Sequence, residues 1–233
     1  MFEFLKAGGL LIIPILLSSI IAMTIVIERF LALRTRNIIP DNAVTHAKKL
    51  ILRGTPPKKT EIEEVRESST IGKVLAAGLE NSQQPRHIMK ESLEEAGRHA
   101  AHELERYMTA LGTIAAITPL LGLLGTVIGM IQVFSVITTM GVGSPTELAG
   151  GISTALITTA TGISVAVPAL IFHRYFKAKI NDYVVRMEQQ ALKLVELSAD
   201  VRQKMMSKPP VQAKPRQAPL RKPMPQQARR TPQ

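Results

Sequence analysis

The sequence predicts an all-α membrane protein with three transmembrane helices, of which helices two and three extend far into the cytoplasm. Three stretches without a charged residue predict this fold, namely residues 7–27, 107–146 and 148–172. A helix needs about 20 mostly apolar residues to cross a hydrocarbon core of about 30 Å, and each stretch meets that length. Strands are disfavoured, because an open sheet edge cannot be satisfied in lipid and a closed barrel needs many more segments.

The distribution of basic residues predicts the orientation in the membrane. Of the 29 Lys and Arg residues, 13 lie in residues 34–106 and 14 lie in residues 174–233, whereas residues 139–147 contain none. Basic loops stay on the cytoplasmic side of a membrane. The N-terminus and the loop between the second and third spans are therefore expected to face outward, and the C-terminus to face the cytoplasm.

These observations divide the chain into eight segments. They are an outer interfacial segment (1–8), transmembrane helix 1 (9–33), a cytoplasmic helical region (34–106), transmembrane helix 2 (107–138), an outward-facing loop (139–147), transmembrane helix 3 (148–173), a cytoplasmic helix (174–206) and a disordered basic tail (207–233).

The first hydrophobic segment is interpreted as a retained anchor. Its apolar run is long, and no A-x-A-like cleavage site precedes the Glu28-Arg29 pair. Residues 1–8 mix apolar and charged side chains, which is typical of a short segment lying at the membrane interface. A local ion pair with Arg29, or an interfacial anchor, is the expected role of Glu28.

Short helices are predicted in the cytoplasmic region. Asp41 is expected to cap a helix that ends at Leu52, and Glu63 has a capping-box position in a second helix over residues 60–67. Residues 81–85 contain Asn, Ser and Pro and predict a break.

Two long helices are predicted to cross the membrane boundary. Apolar residues recur at helical spacing from Ile88 onward without a stop signal, which predicts one uninterrupted helix over residues 85–137. No breaker follows Phe172, and the three-four spacing of apolar residues continues as in a bundle or coiled-coil seam. The third helix is therefore expected to continue to about Met206.

Composition excludes several functions. The chain has no Cys, and His99 and His102 lack nearby ligands, so a solvated helix face is favoured over a metal site. The sequence has no nucleophile–base pair and no phosphate-binding loop, so neither an enzyme nor a cofactor site is predicted.

The net charge of +11 does not predict a nucleic-acid partner, because the basic residues are not interleaved with the aromatic residues that bind single strands. The basic tail either contacts anionic lipid or is solvated.

Small and hydroxyl-bearing residues dominate the second and third spans. Small residues allow helix backbones to approach closely in lipid, so one interpretation is helix packing alone. Six hydroxyls lie within residues 153–164, which favours a face that meets water or a polar partner. The residues assigned to helix packing are Gly122, Gly125, Gly129, Gly151, Ala155, Gly162 and Pro168.

The middle of these two spans contains no Asp, Glu, Lys, Arg or His. An intramembrane proton relay normally needs a titratable group, and hydroxyls do not change charge near neutral pH. If protons cross the membrane here, another polypeptide must supply the carboxylate.

Two motifs carry a family resemblance. Gly122-Leu-Leu-Gly-Thr126-Val-Ile-Gly129, followed by Gly151-Ile-Ser-Thr-Ala-Leu-Ile-Thr-Thr159-Ala-Thr-Gly162 and Pro168, resembles the paired signature of the MotA/TolQ/ExbB proton-channel family, and most closely its ExbB-like members. The resemblance covers residues 1–200 and leaves out the basic tail.

The resemblance implies a function and partners. ExbB-like proteins form a homopentameric ring of three-helix subunits in the bacterial inner membrane, with a periplasmic N-terminus and a cytoplasmic C-terminus. The ring encloses helices of ExbD, whose single membrane Asp carries the proton. With TonB, the complex couples the proton motive force to energy-dependent outer-membrane transport. Two alternatives stay open: a TolQ-like subunit of a motor that maintains the cell envelope, and a non-conducting scaffold for a single-span partner.

The resemblance also implies site residues. The two functional threonines of the family fall on Thr126 and Thr159, whose hydroxyls are expected to ease ionisation of the partner's Asp. Thr154 occupies the place where many members have a Glu that assists proton passage, and it is included in the predicted proton pathway.

Overall fold

A computed structural model describes residues 9–141 and 145–206, so the predicted interfacial segment and basic tail lie outside the described residues. Within these ranges the chain forms helices and no strand, which confirms the predicted fold class. The helices are α1 (Ile12–Ala32), α2 (Thr35–Ile38), α3 (Asp41–Leu52), α4 (Lys59–Ser68), α5 (Thr70–Glu80), α6 (Arg86–Leu104), α7 (Met108–Met140) and α8 (Pro145–Met206).

Three helical segments are long and apolar enough to cross a membrane, namely Ile12–Ala32, Arg86–Thr139 and Pro145–Met206. Many large apolar side chains on these segments are exposed, as a helix surface that meets lipid or another chain requires. The three transmembrane helices predicted from the sequence are confirmed by length and composition.

The second of these segments is not one continuous helix, so the prediction of an uninterrupted helix over residues 85–137 is wrong. Helix α6 ends at Leu104, and Tyr107 adopts the left-handed conformation with φ 63° before α7 begins. We call residues 105–107 the elbow. The backbone N–H of Met108 donates to the carbonyl of Glu105, three residues back, at 3.0 Å. The carbonyl of Leu104 is therefore left without its regular helical donor.

Arg29 satisfies this carbonyl from a distant part of the chain. It lies on α1, is only 4% exposed, and donates from Nη1 to the Leu104 oxygen at 3.0 Å. Its Nη2 donates to the Glu28 carboxylate at 2.6 Å, so the expected local ion pair is present. The guanidinium also lies 5.6 Å from the centroid of the Tyr107 ring, within the range of a cation–π contact. Arg29 therefore fastens α1 to the elbow.

Helix α8 continues without interruption to Met206, as predicted. The second half of α8 buries one side against α3, α5 and α6, with Phe176, Ile180, Met187 and Leu194 in the core. These helices are amphipathic, and they pack their apolar faces on α8 and on one another.

Local details of the short helices differ from the predictions. Asp41 is the first residue of α3, and Pro40 precedes it as the N-cap. At the start of α4 the backbone N–H of Lys58 donates to Glu61 at 3.0 Å, so Glu61 and not Glu63 has the capping position. This hydrogen bond, together with Arg53, lowers the pKa of the Glu61 carboxyl.

Helices α7 and α8 are antiparallel and meet at a seam of small residues. A Cβ atom added to Gly125 would lie 2.5 Å from Cγ2 of Thr158, and one added to Gly162 would lie 2.8 Å from the carbonyl oxygen of Thr118. Such distances leave no room for a side chain. The other small residues of the seam are Gly122, Gly129, Gly151 and Ala155. Pro168 is exposed on the surface of the single chain, so a packing role for it stays a prediction.

We expect Arg29→Met to lower the free energy of unfolding by about 2 kcal/mol, because the Leu104 carbonyl would lose its donor while remaining buried. The measurement is chemical or thermal unfolding of the purified protein in detergent, followed by circular dichroism. Arg34→Met is the matched control, since Arg34 is exposed. Equal stability of the two variants would show that the elbow does not depend on Arg29.

Two glycine substitutions on α8 are expected to differ in their effect on the free energy of unfolding. Gly162→Ala would force a methyl group against the Thr118 backbone and should cost about 1–3 kcal/mol. Gly150→Ala meets nothing within 4 Å and should be neutral or stabilising by up to about 1 kcal/mol, because Ala favours helix. The same unfolding measurement compares them, and a neutral Gly162→Ala would contradict the close seam.

Candidate functional site

Thr159 links the two helices of the seam. Its hydroxyl donates to the carbonyl of Gly122 on α7 at 2.8 Å, a contact between residues 37 positions apart. The approach is possible because Gly122 has no side chain, and a Cβ at this position would lie 3.0 Å from Cα of Thr159. Thr159 is half-buried, so part of its side chain remains accessible from one side of the helix pair.

Thr126 lies on α7 one turn from Gly122, and its hydroxyl and that of Thr159 bind two adjacent carbonyls of α7, those of Leu123 and Gly122. The Thr126 hydroxyl donates to the carbonyl of Leu123 at 2.6 Å and is half-buried. The structure therefore brings the two predicted threonines to one region of the seam.

Thr154 has a different location. It is five residues from Thr159, which places the two side chains about 140° apart around the helix. Its hydroxyl donates to the carbonyl of Gly150 at 3.0 Å, and its methyl lies 3.5 Å from where a Cβ of Gly9 would be. Thr154 thus faces the N-terminal end of α1, and a place for it in the proton pathway stays a prediction.

The donor capacity of both site threonines is in use in this arrangement. Each hydroxyl carries one proton, and the carbonyls of Leu123 and Gly122 can only accept. Thr126 and Thr159 can therefore accept a hydrogen bond from a neutral carboxylic acid as they stand. To donate to a carboxylate, either hydroxyl must first leave its carbonyl.

Two hydroxyls of the seam are buried, those of Thr118 and Thr158, although Thr158 is one of the six hydroxyls expected on a face that meets water or a polar partner. Thr118 and Thr158 are 0% and 1% exposed, and both donate to carbonyls four residues back, at 2.5 and 2.8 Å. A hydroxyl satisfied in this way can pack in an apolar contact. Their position in the register of the seam glycines is the sequence signal that could have identified them as packing residues.

No titratable side chain lies within α7 or in residues 148–172 of α8. In the described part of the chain, no group of three His, Asp or Glu side chains is placed to hold a metal ion. The chemistry that the site offers is therefore hydrogen bonding by hydroxyls and carbonyls in an apolar setting.

Comparisons with known proteins agree with these features. Residues 66–189 match the MotA/TolQ/ExbB proton channel family. An ExbB-like biopolymer transport protein of Synechocystis is 36% identical over 74% of this chain and 68% of its own length. Biopolymer transport protein exbB1 of Vibrio cholerae is 31% identical over 70% of this chain and 72% of its own length. Biopolymer transport protein ExbB of Aquifex aeolicus is 30% identical over 49% of this chain and 76% of its own length.

The family match spans the elbow, the seam and both site threonines, and the Synechocystis relative is 36% identical over 74% of this chain, so the chain belongs to the MotA/TolQ/ExbB proton channel family.

Proposed function

We propose that this protein is the channel subunit that, with an ExbD-like single-span partner and TonB, couples the proton motive force to energy-dependent outer-membrane transport. The observation that carries the proposal is the face of the α7–α8 pair around Thr126 and Thr159. It offers hydroxyls beside an apolar seam and has no titratable group of its own. Such a face suits a partner that brings the acid.

The partner's carboxyl group would respond to this environment. A carboxyl in an apolar pore has a raised pKa, because burial disfavours its charged form. In the neutral form it can donate a hydrogen bond to the free lone pairs of Thr126 or Thr159. After it releases its proton, a hydroxyl that turns from its carbonyl to the carboxylate stabilises the charge.

The energies of this exchange are favourable. Breaking the hydrogen bond from Thr159 to the Gly122 carbonyl costs about 1 kcal/mol, and a hydrogen bond to a charged group contributes about 1.5–3 kcal/mol. The membrane potential supplies about 2.3 kcal/mol per charge for each 100 mV. Two hydroxyl orientations of similar energy would therefore allow the acid to bind and release a proton. The protonation state of the acid would change the preferred position of the partner helix.

The assembly and orientation follow the same proposal. Several copies, five by analogy with the family, would enclose the partner helices, and the exposed apolar faces of α1, α7 and α8 would meet lipid and neighbouring subunits. The basic residues in 34–106 and beyond residue 173 favour a cytoplasmic position for α3 to α6 and the end of α8. The protein would then lie in the inner membrane with its N-terminus in the periplasm.

The ExbB-type role is favoured over a TolQ-type role because the relatives named above are biopolymer transport proteins of the ExbB type. Transport, and not enzymatic catalysis, is the activity proposed.

We expect Thr126→Val and Thr159→Val each to reduce proton flux at least about tenfold, because valine has a similar shape and no hydroxyl for the carboxyl group. The measurement is dye-monitored proton uptake by liposomes that contain the complex of this chain with its co-purified single-span partner. Thr24→Val is the matched control, since Thr24 is an exposed α1 residue whose hydroxyl donates to the carbonyl of Ile20.

Full flux in both threonine variants would exclude a role for these hydroxyls. Absence of flux in the unmodified complex would instead support the scaffold.

A further inference from the structure

An open cavity with a mixed polar and apolar lining lies between α7, α8 and the elbow. Its volume is about 420 Å³, which is room for several water molecules. The polar residues that line it are Glu105, Thr109, Thr113, His173 and Lys177. His173 is the first titratable side chain that α8 carries after Glu147.

The cavity lies on the same side of the helix pair as the two site threonines. Residues that are three and four positions apart share one face of a helix. On α7 this spacing connects Thr126 to Gly112 through Leu123, Pro119 and Ala116.

On α8 the same spacing connects Thr159 to His173 through Ile163, Ala166 and Leu170. The two ends of this row are about 21 Å apart at 1.5 Å per residue. These two rows of residues border one groove of the α7–α8 pair. The side chains of the groove between the threonines and the cavity are all apolar, so the first titratable group in it is His173.

Gly112 allows the imidazole to occupy this position. A Cβ atom at Gly112 would lie 2.9 Å from Nε2 of His173 and 3.2 Å from Cδ2. A larger residue at 112 would therefore displace the ring from the cavity wall. The close fit indicates a defined position for the imidazole, next to space that water can enter.

We propose that His173 is the proton-release group at the cytoplasmic end of the groove, an inference that rests on the function proposed above. Movement of the partner helix first brings its neutral carboxylic acid from the threonines to the cavity. There the O–H bond of the acid breaks, cavity water carries the proton, and an N–H bond forms on the neutral imidazole, which leaves a carboxylate on the partner. The imidazolium then gives the proton to water on the cytoplasmic side and returns to its neutral form. Imidazole suits this role because it both accepts and donates a proton near neutral pH.

The charged groups around His173 come from α8 and the elbow, because α7 carries no titratable side chain. Lys177 and Arg174 lie on α8, and Glu105 faces the cavity from the elbow. The carboxylate of Glu105 offsets the positive charge of a transient imidazolium, and the two cations favour its rapid discharge. The hydroxyl of Thr113 already donates to the carbonyl of Thr109 at 2.8 Å, so it can accept a hydrogen bond from cavity water.

The test is proton flux in liposomes that contain the unmodified complex or its His173→Ala variant, with and without added imidazole. His173→Ala should lower the flux at least about tenfold, and free imidazole should restore much of it by entering the vacated space. Pyrazole, a ring of similar size that does not bind a proton near neutral pH, should not restore it. His102→Ala, on the exposed side of α6, is the control.

A second variant separates proton transfer from folding. Gly112→Ala should lower the flux by displacing the ring, and the double variant with His173→Ala should be no worse than His173→Ala alone. Retained flux in His173→Ala, a loss that imidazole does not restore, or additive losses in the double variant would each overturn the proposal. Absence of flux in the unmodified complex would overturn the proposed function as well, so the two failures are distinguishable.

Discussion

The close approach of α7 and α8 is the contact on which the rest of the structure depends. In lipid, apolar side chains gain nothing by leaving the solvent, so two helices associate through dense packing and interhelical hydrogen bonds. Glycines on both sides of the seam remove the side chains that would separate the backbones, as at Gly125 and Gly162. The hydroxyl of Thr159 can reach the Gly122 carbonyl only because of this proximity.

The apolar environment of the spans also explains where hydroxyls and charged side chains are found. Every hydroxyl described in the seam donates to a carbonyl, which avoids the cost of an unsatisfied polar group in hydrocarbon. Charged side chains are kept at the ends of the spans, where Arg29 is the clearest case. A helix pair built in this way is stable without a charged residue of its own, which is the condition that the proposed function places on it.

Some of this arrangement could be predicted from the sequence and some could not. Charge-free stretches determine the spans, and small residues at regular spacing indicate the seam, because both depend on local composition. The elbow could not be predicted, since Tyr107 is neither Gly nor Pro and its left-handed conformation is stabilised by Arg29, 75 residues from Leu104. The cross-helix bond of Thr159 and the separate side occupied by Thr154 depend on how α7, α8 and α1 are rotated against each other, which spacing within one helix does not reveal.

The elbow and the cavity share a residue, and this connects the first helix to the open end of the groove. Glu105 begins the elbow and lines the cavity that holds His173. Arg29 satisfies the Leu104 carbonyl next to it, so the position of α1 helps to determine where Glu105 sits. A displacement of α1 or α6 would therefore move Arg29 and Leu104, and with them Glu105 at the cavity that holds His173. The glycine seam would keep Thr126 and Thr159 in place. If the proposed function holds, the packed seam keeps the threonines that meet the partner's acid in a constant position, and the elbow is the part of the chain through which the position of His173 can be adjusted.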